Sequence, residues 1–377
     1  MSTQALTYAA PSEEALNSAF HQRYTGICGV NIEHLLDAAR AVPLTSAFSL
    51  MEPTRDPLRL KSQIATIAFM NVYRPDVPIP RLFSAQLSSA NPAGVPYTLI
   101  KFCEGTPIAH HEWRNMSNAN KSVVVDLLAE QWAKITAPAP FSAIGSIVTD
   151  ISANTSHPLW HRHDVSQCSS RRSRFNVQRG PTTLAEHWHY HLDATRRDMM
   201  EMFPQLDDDA RRTLIRCADI LRDLVNLAVS LDPLTNPAAR SAAPNLALIH
   251  ADFACWRNVL FSADRMRLEG IIDWDDSVVV PRDLAARYPE ELTHVRSWRP
   301  DPDDVFAIPP EVLSEDMSSW RIAIEDMQLR KRFRDTVQRF DPQLAALYTD
   351  RRAKFRRRVD HLAMRGWQSW YSYSDWI

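Results

Sequence analysis

Residues 246–276, LALIHADFACWRNVLFSADRMRLEGIIDWDD, place Asp252, Asn258 and Asp273 within one short stretch of chain. All three carry side-chain oxygens of the kind a hard divalent cation takes as ligands, its remaining positions going to phosphate and water. A carboxylate beside such an ion but not bound to it can accept the proton of an attacking hydroxyl. Asn258 and Asp273 therefore read as ligands for Mg2+, and Asp252 as the group that receives the proton. That set suits holding a metal and a triphosphate beside an acceptor hydroxyl.

The stretch also encodes the elements that must position these residues. Leu246 to Ile249 is an apolar run leading to His250 and Asp252, so it reads as a buried strand feeding a polar loop. Val259 to Phe261 is a second strand, Ser262 to Arg267 supplies turn residues, and Leu268 to Ile272 returns. If the last two strands pair antiparallel, Asn258 and Asp273 share the open end of the hairpin, which Asp252 reaches along the preceding loop.

These residues resemble the aminoglycoside phosphotransferase and choline kinase group, whose members have a protein-kinase-like fold. His250 and Asp252 match the start of its HxDxxxxN loop, and Ile272-Asp273-Trp274 matches its metal-binding motif. The resemblance implies an α+β, two-lobed fold, with a small mixed β-sheet lobe over residues 1–105 and a larger, mainly helical lobe over 106–377. It makes Asp252 the catalytic base, with His250 bracing the loop, and Asp273 the main metal ligand. The passage PIPRLFSAQLSSANPAGVPYTLIKFCEG is similar to the family's strand, turn, strand and hinge, so the backbone at Lys101, Phe102 and Cys103 is expected to meet the adenine edge of ATP. Asp283, in Pro281-Arg282-Asp283-Leu284-Ala285, resembles a family Asp that accepts backbone hydrogen bonds and steadies the catalytic loop.

The chain departs from this pattern in several places. The Asn follows Asp252 by six positions rather than five, and Arg257 stands where the Asn is expected. Either the loop bulges by one residue and Asn258 still reaches the metal, or that ligand is weakened. With only 8 Gly in the chain, Gly26 and Gly29 make a poor phosphate loop. Met51 falls where the family has a basic residue and Gln63 where it has a helix Glu, while Arg55, Arg59 or Lys61 could substitute. Two readings follow: an ATP- and Mg2+-dependent phosphotransferase acting on a hydroxyl of a small molecule, or a catalytically impaired relative that binds a ligand or partner in the same cleft.

At 377 residues the chain is long enough for two lobes with a sizeable core, and 45% hydrophobic with 23% charged residues is ordinary for a globular protein. A formal net charge of -2 offers no case for nucleic acid or an anionic membrane as the main partner. No apolar run reaches the length of a membrane span, the N-terminus lacks a signal-peptide pattern, and five scattered cysteines form no disulfide framework. These features predict a cytoplasmic location. Cys255 lies in the catalytic loop, where a nucleophilic role would need a base and a lowered pKa.

Helical spacing marks Ile64–Val72, Lys121–Ile135, Leu184–Met202, Ala210–Leu231, Ser318–Phe340 and Pro342–Met364, with a polar insertion between Asp150 and Gly180. Two histidine clusters, at 157, 161 and 163 and at 187, 189 and 191, make zinc and a metal-dependent hydrolase a third reading, although no carboxylate or thiol sits at ligand spacing. Arg351, Arg352, Lys354, Arg356, Arg357 and Arg358 read as a solvated helix face paired with Asp350 and Asp360. Asp275 and Asp276 read as solvated or capping, as do the acidic runs at 207–209 and 301–304 as solvated. The aromatic residues Trp367 to Trp376 read as a terminal segment docked on the large lobe.

Overall fold

The computed structural model describes residues 46–50, 57–86, 90–92, 94, 96–149, 163–166, 181–230, 245–292 and 317–364. Gly26, Gly29, Met51, Arg55, the His157 and His161 pair, the 301–304 acidic run and the C-terminal aromatics lie outside them, as do the side chains of Arg59 and His163.

The N-terminal part runs β1 (Ser46–Leu50), α1 (Pro57–Tyr73), β2 (Leu82–Gln86) and β3 (Tyr97–Lys101). Pro57 opens α1 at a position where its missing N–H is no loss, which starts the helix well before the apolar spacing at Ile64. The strands form one antiparallel sheet in the order β1-β3-β2, Ser46 opposite Lys101 and Leu50 opposite Tyr97. β1 owes its strand identity to pairing with β3 along its whole length. α1 buries Ile64, Ile67, Phe69 and Met70. It packs against the short 3-10 turn at Trp274–Asp276 that follows Asp273.

Next come α2 (His110–Asn115), α3 (Asn118–Ile135), β4 (Pro138–Ala139), β5 (Ser146–Thr149), β6 (His163–Ser166), α4 (Leu184–Met202) and α5 (Asp208–Ser230). Ser117 caps α3 by accepting from Asn120 N, and Val124, Val125, Leu128, Ala129 and Trp132 form its buried face. Burial of each such Val or Leu contributes about 1.5–3 kcal/mol, so this face holds the large lobe together. A capping box between Thr183 and Glu186 starts α4.

The site segment supplies β7 (Leu246–Ile249), β8 (Val259–Phe261), β9 (Leu268–Ile271), β10 (Val278–Pro281) and α6 (Arg282–Ala285). β7 is the middle strand between β10 and β4, and all four of its residues are buried in the main core, which explains its unbroken apolar run. The chain closes with α7 (Met317–Phe340), α8 (Pro342–Thr349) and α9 (Arg351–Met364). The single helix expected over Pro342–Met364 is broken at Asp350. That residue is extended, and its carboxylate accepts from Ala353 N at 2.7 Å, so it ends one helix and caps the next.

One core joins α1, α3, β7–β10, α7 and α8. A second, built on Trp188, Leu192, Met199, Leu214, Leu221, Val225 and Val359, joins α4, α5 and α9. Among the described residues no helix is long and apolar enough to cross a membrane.

Candidate active site

The hairpin pairs β8 with β9 antiparallel, Val259 opposite Ile271, and Ile272 N donates to Asn258 O at 2.9 Å just beyond the last strand pair. Asn258 and Asp273 therefore sit at the same open end, as their spacing predicts. Asp273 adopts φ 64°, ψ 59°, a left-handed conformation that Asp tolerates better than most residues. The next residue, Trp274, is fully buried and its indole N–H donates to Ile271 O at 2.8 Å, so this turn is pinned from inside. The Asp273 side chain is exposed, with no partner among the described residues.

His250 ties the loop to the hairpin. Its Nδ1 accepts from Asp252 N at 3.2 Å and its Nε2 lies 2.8 Å from Ile272 O. Both contacts are satisfied only with the ring proton on Nε2. One buried imidazole thus spans from the backbone of Asp252 to the carbonyl that precedes Asp273.

The extra residue in the loop is absorbed by a tight turn. The amides of Arg257, Asn258 and Val259 converge on Ala254 O at 3.3, 3.1 and 3.2 Å. Asn258 consequently faces back toward Asp252, its Nδ2 donating to Asp252 O at 2.9 Å and to Oδ2 at 3.1 Å. Its Oδ1 has no hydrogen-bond partner among the described residues. Arg257 lies with Nη2 3.1 Å from Asp252 Oδ1, and the same nitrogen pairs with Glu290. An Asn-sized side chain at position 257 would not make this contact.

The carboxylate that steadies the loop is Glu291, not Asp283. Buried Glu291 accepts from Cys255 N, while Asp283 pairs with Arg356 and its carbonyl accepts from Arg357 Nη1 at 3.0 Å. Asp283 cannot serve the loop because the basic helix α9 packs on α6 and claims it. Burial pushes the Glu291 carboxyl up, with partial offset from its Cys255 contacts. Burial, reinforced by Glu291, raises the Cys255 thiol well above its ordinary range, which disfavours the thiolate that a nucleophilic role would need.

Gly105 (φ 93°) lets the segment after β3 lie against the hairpin, since a Cβ there would meet Phe261 O at 2.6 Å. Thr106 and Phe261 then exchange backbone hydrogen bonds at 3.0 and 2.9 Å. Gly270 leaves room for Cys103, whose Cβ would lie 2.7 Å from an added methyl. Of the expected adenine contacts, Lys101 N is already committed to Arg81 O at 2.7 Å. Phe102 and Cys103 make no backbone hydrogen bond to any described residue, and Phe102 is 54% exposed.

A cavity of about 200 Å³ opens beside the loop, lined by Trp132, Ile249–Phe253, Arg287, Tyr288 and Glu290. Arg287, Tyr288 and Glu290 escape motif reading. They follow the Pro281–Ala285 match at no characteristic spacing, and only tertiary contact brings them to Asp252.

The remaining clusters resolve differently from their expected roles. His187 and His191 share a face of α4, rings 4.6 Å apart, but are buried around Asp360. Trp188 Nε1 donates to Asp360 Oδ1 at 3.1 Å, Arg287 Nη2 lies 2.7 Å from Oδ2, and His187 Nε2 is 3.7 Å from Oδ1. Among the described residues no group of three or more His, Cys, Asp or Glu could hold a metal ion. The basic run is a solvated face only in part: Arg351, Arg352 and Arg358 are exposed, whereas Lys354 is buried, Arg356 pairs with Asp283, and Arg357 caps Leu347 O at 2.9 Å and Tyr348 O at 3.2 Å. Asp275 is buried rather than solvated. Asp208 and Asp209 do stay exposed, paired with Arg211 and Arg212, while Asp207 caps α5 through Ala210 N at 2.7 Å.

Residues 45–284 match the family model described as the phosphotransferase enzyme family, APH, and the chain belongs to that family. It has the family's two-lobed, protein-kinase-like α+β fold. Two subtelomeric hrmA-associated cluster proteins of Aspergillus fumigatus strains are each 22% identical over 292 residues, covering 66% of this chain and 56% of the relative. The chain thus spans little more than half the length of these curated relatives. Among solved structures, ADP-bound aminoglycoside phosphotransferase APH(2'')-Ib is 12% identical, covers 94% of this chain and 99% of its own, and has a TM-score of 0.38. The streptomycin–ATP–APH(2'')-IIa complex is 13% identical, covering 80% and 73%, with a TM-score of 0.42.

Proposed function

We propose that this protein transfers the γ-phosphoryl group of ATP, with Mg2+, to a hydroxyl of a small molecule. The observation that carries the reading is the His250 bridge, which fixes the Asp252 loop against the carbonyl just before Asp273. Asp252 orients the acceptor hydroxyl and takes its proton as the phosphoryl group transfers. Asn258 Oδ1 and the Asp273 carboxylate, both without partners among the described residues, are an oxygen pair suited to Mg2+, which when bound offsets the triphosphate charge. The backbone of Phe102 and Cys103 offers donor and acceptor groups for an adenine edge, and residue 105 divides the two lobes. Arg257 contributes positive charge next to Asp252, where it can stabilise charge that develops as the phosphoryl group transfers.

The second reading, a binding protein without turnover, draws on the same contact, because Arg257 and Asn258 already occupy both Asp252 oxygens. Thermal unfolding with ATP or a non-hydrolysable analogue, with and without Mg2+, separates them when combined with ADP release across an acceptor panel. Mg2+-dependent stabilisation that disappears in Asp273→Ala, with turnover that disappears in Asp252→Asn, supports the phosphotransferase. Stabilisation without turnover on any acceptor supports the binding protein.

A further inference from the structure

Arg287, a residue that the transfer chemistry does not use, is among those lining the cavity beside Asp252. Arg287 is fixed at four points. Its N donates to Ala285 O at 2.7 Å, its O accepts from the Tyr348 hydroxyl at 2.8 Å, Nε donates to Leu284 O at 2.7 Å and Nη2 to Asp360 Oδ2 at 2.7 Å. Nη1 has no partner among the described residues, and the side chain is 39% exposed. Asp360 does not depend on Arg287 alone, because Trp188 Nε1 donates to its other oxygen at 3.1 Å and His187 Nε2 lies 3.7 Å away.

The acidic groups of the same wall are differently placed. Asp252 is engaged by Arg257 and Asn258, and Glu290 by Arg257. A polycationic acceptor needs carboxylates that are open to it, and here they are met by the protein's own donors. An acceptor with a carboxylate or phosphate ester meets a rigid donor edge whose ordering was completed on folding, which favours binding.

We propose that Arg287 binds an anionic group on the acceptor, so that the substrates are hydroxy acids or hydroxyl-bearing phosphate esters rather than amino sugars or choline-like cations. This rests on the cavity being the acceptor site of the phosphotransferase reading. The test uses the full chain and four probes: D-glycerate, glycerol 3-phosphate, choline and kanamycin, with glycerol as the neutral control. Binding is measured by calorimetry without nucleotide, so it does not require turnover. At least one of the two anions binds while glycerol, choline and kanamycin do not; whichever anion binds tells carboxylate from phosphate recognition.

Arg287→Met weakens that binding about 10- to 100-fold, as expected for loss of a charge-assisted contact, and Arg287→Lys restores part of it. Because Arg287→Met takes the guanidinium from Oδ2 of the buried Asp360 and leaves it only Trp188 and His187, the double variant Arg287→Met/Asp360→Asn removes both charges and is the decisive protein. Binding of neither anion, binding of choline or kanamycin instead, or undiminished anion binding in the double variant overturns the proposal. Mg2+–ATP stabilisation is followed in the same samples. Arg287-dependent anion binding without it would sink the phosphotransferase reading and leave the anion site standing.

Discussion

Arg257 lies against the carboxylate that must accept a proton, so its removal has two opposed consequences. Arg257→Met releases Asp252 Oδ1 and removes one partner of Glu290, but it also takes away the positive charge beside Asp252. If that charge stabilises the transition state, kcat falls about 10²- to 10³-fold with little change in nucleotide KM, as for loss of one preorganised electrostatic contact. A rise in kcat would show that the pair only masks Asp252. Asp273→Ala and Asp252→Asn separate metal holding from proton handling, because only the first abolishes Mg2+-dependent stabilisation. His250→Gln keeps polarity but cannot reproduce the span from Asp252 N to Ile272 O, so it lowers kcat without abolishing nucleotide binding.

Hairpin and loop act as units, and two contacts set their relative position. Gly105→Ala must place a methyl 2.6 Å from Phe261 O in a conformation with φ 93°. The substitution destabilises by about 1–3 kcal/mol through backbone strain, read as a lower urea midpoint. Because Thr106 pairs with Phe261, the same change raises the nucleotide KM by moving the segment at Phe102 and Cys103 off the hairpin. Glu291→Ala leaves the buried Cys255 N–H without its acceptor, at a cost of about 1–3 kcal/mol, and lowers kcat more than KM because the loop it braces carries Asp252. Asp283→Ala, by contrast, disturbs the packing of α9 and should lower stability while sparing kcat. The motif around Asp283 was legible in sequence but its partner was not, since only the docking of α9 decides which carboxylate is left for the loop.

Across the whole molecule, the second core is built around buried ionisable groups and should respond to pH. Burial, reinforced by His187 and partly offset by Asp360, lowers His191 to about 3. Its unfolded value is about 6.5, so between those limits the unfolded chain binds a proton that the folded one does not. Stability from this group is complete above about pH 6.5 and declines as pH falls toward 3. Asp360 is penalised by burial yet held down at about 2 by His187, Arg287 and Trp188, so its contribution is lost only as pH falls below about 4. Asp326 runs the other way: burial, partly offset by Arg330, raises it to about 6, so stability falls as pH rises from about 4 to 6. Urea midpoints from pH 7 to 4 should slope less steeply in His191→Gln than in the parent, and Asp326→Asn should be the more stable protein at pH 7. A steeper slope in His191→Gln would mean that the folded state protonates this ring.

From sequence alone, the strand–loop–hairpin order around Asp252, Asn258 and Asp273 could be read, because short apolar runs and turn chemistry leave a local trace. The helices Lys121–Ile135 and Leu184–Met202 could be read for the same reason, their apolar residues recurring on one face. Tertiary structure decided what has no local period. It assigned Glu291 to the loop and Asp283 to α9, broke the last helix at Asp350, buried the histidines around a carboxylate far along the chain, and set Arg287 in the cavity wall. Each of these outcomes depends on which charged groups meet after the elements pack, and spacing along a chain carries no record of that meeting.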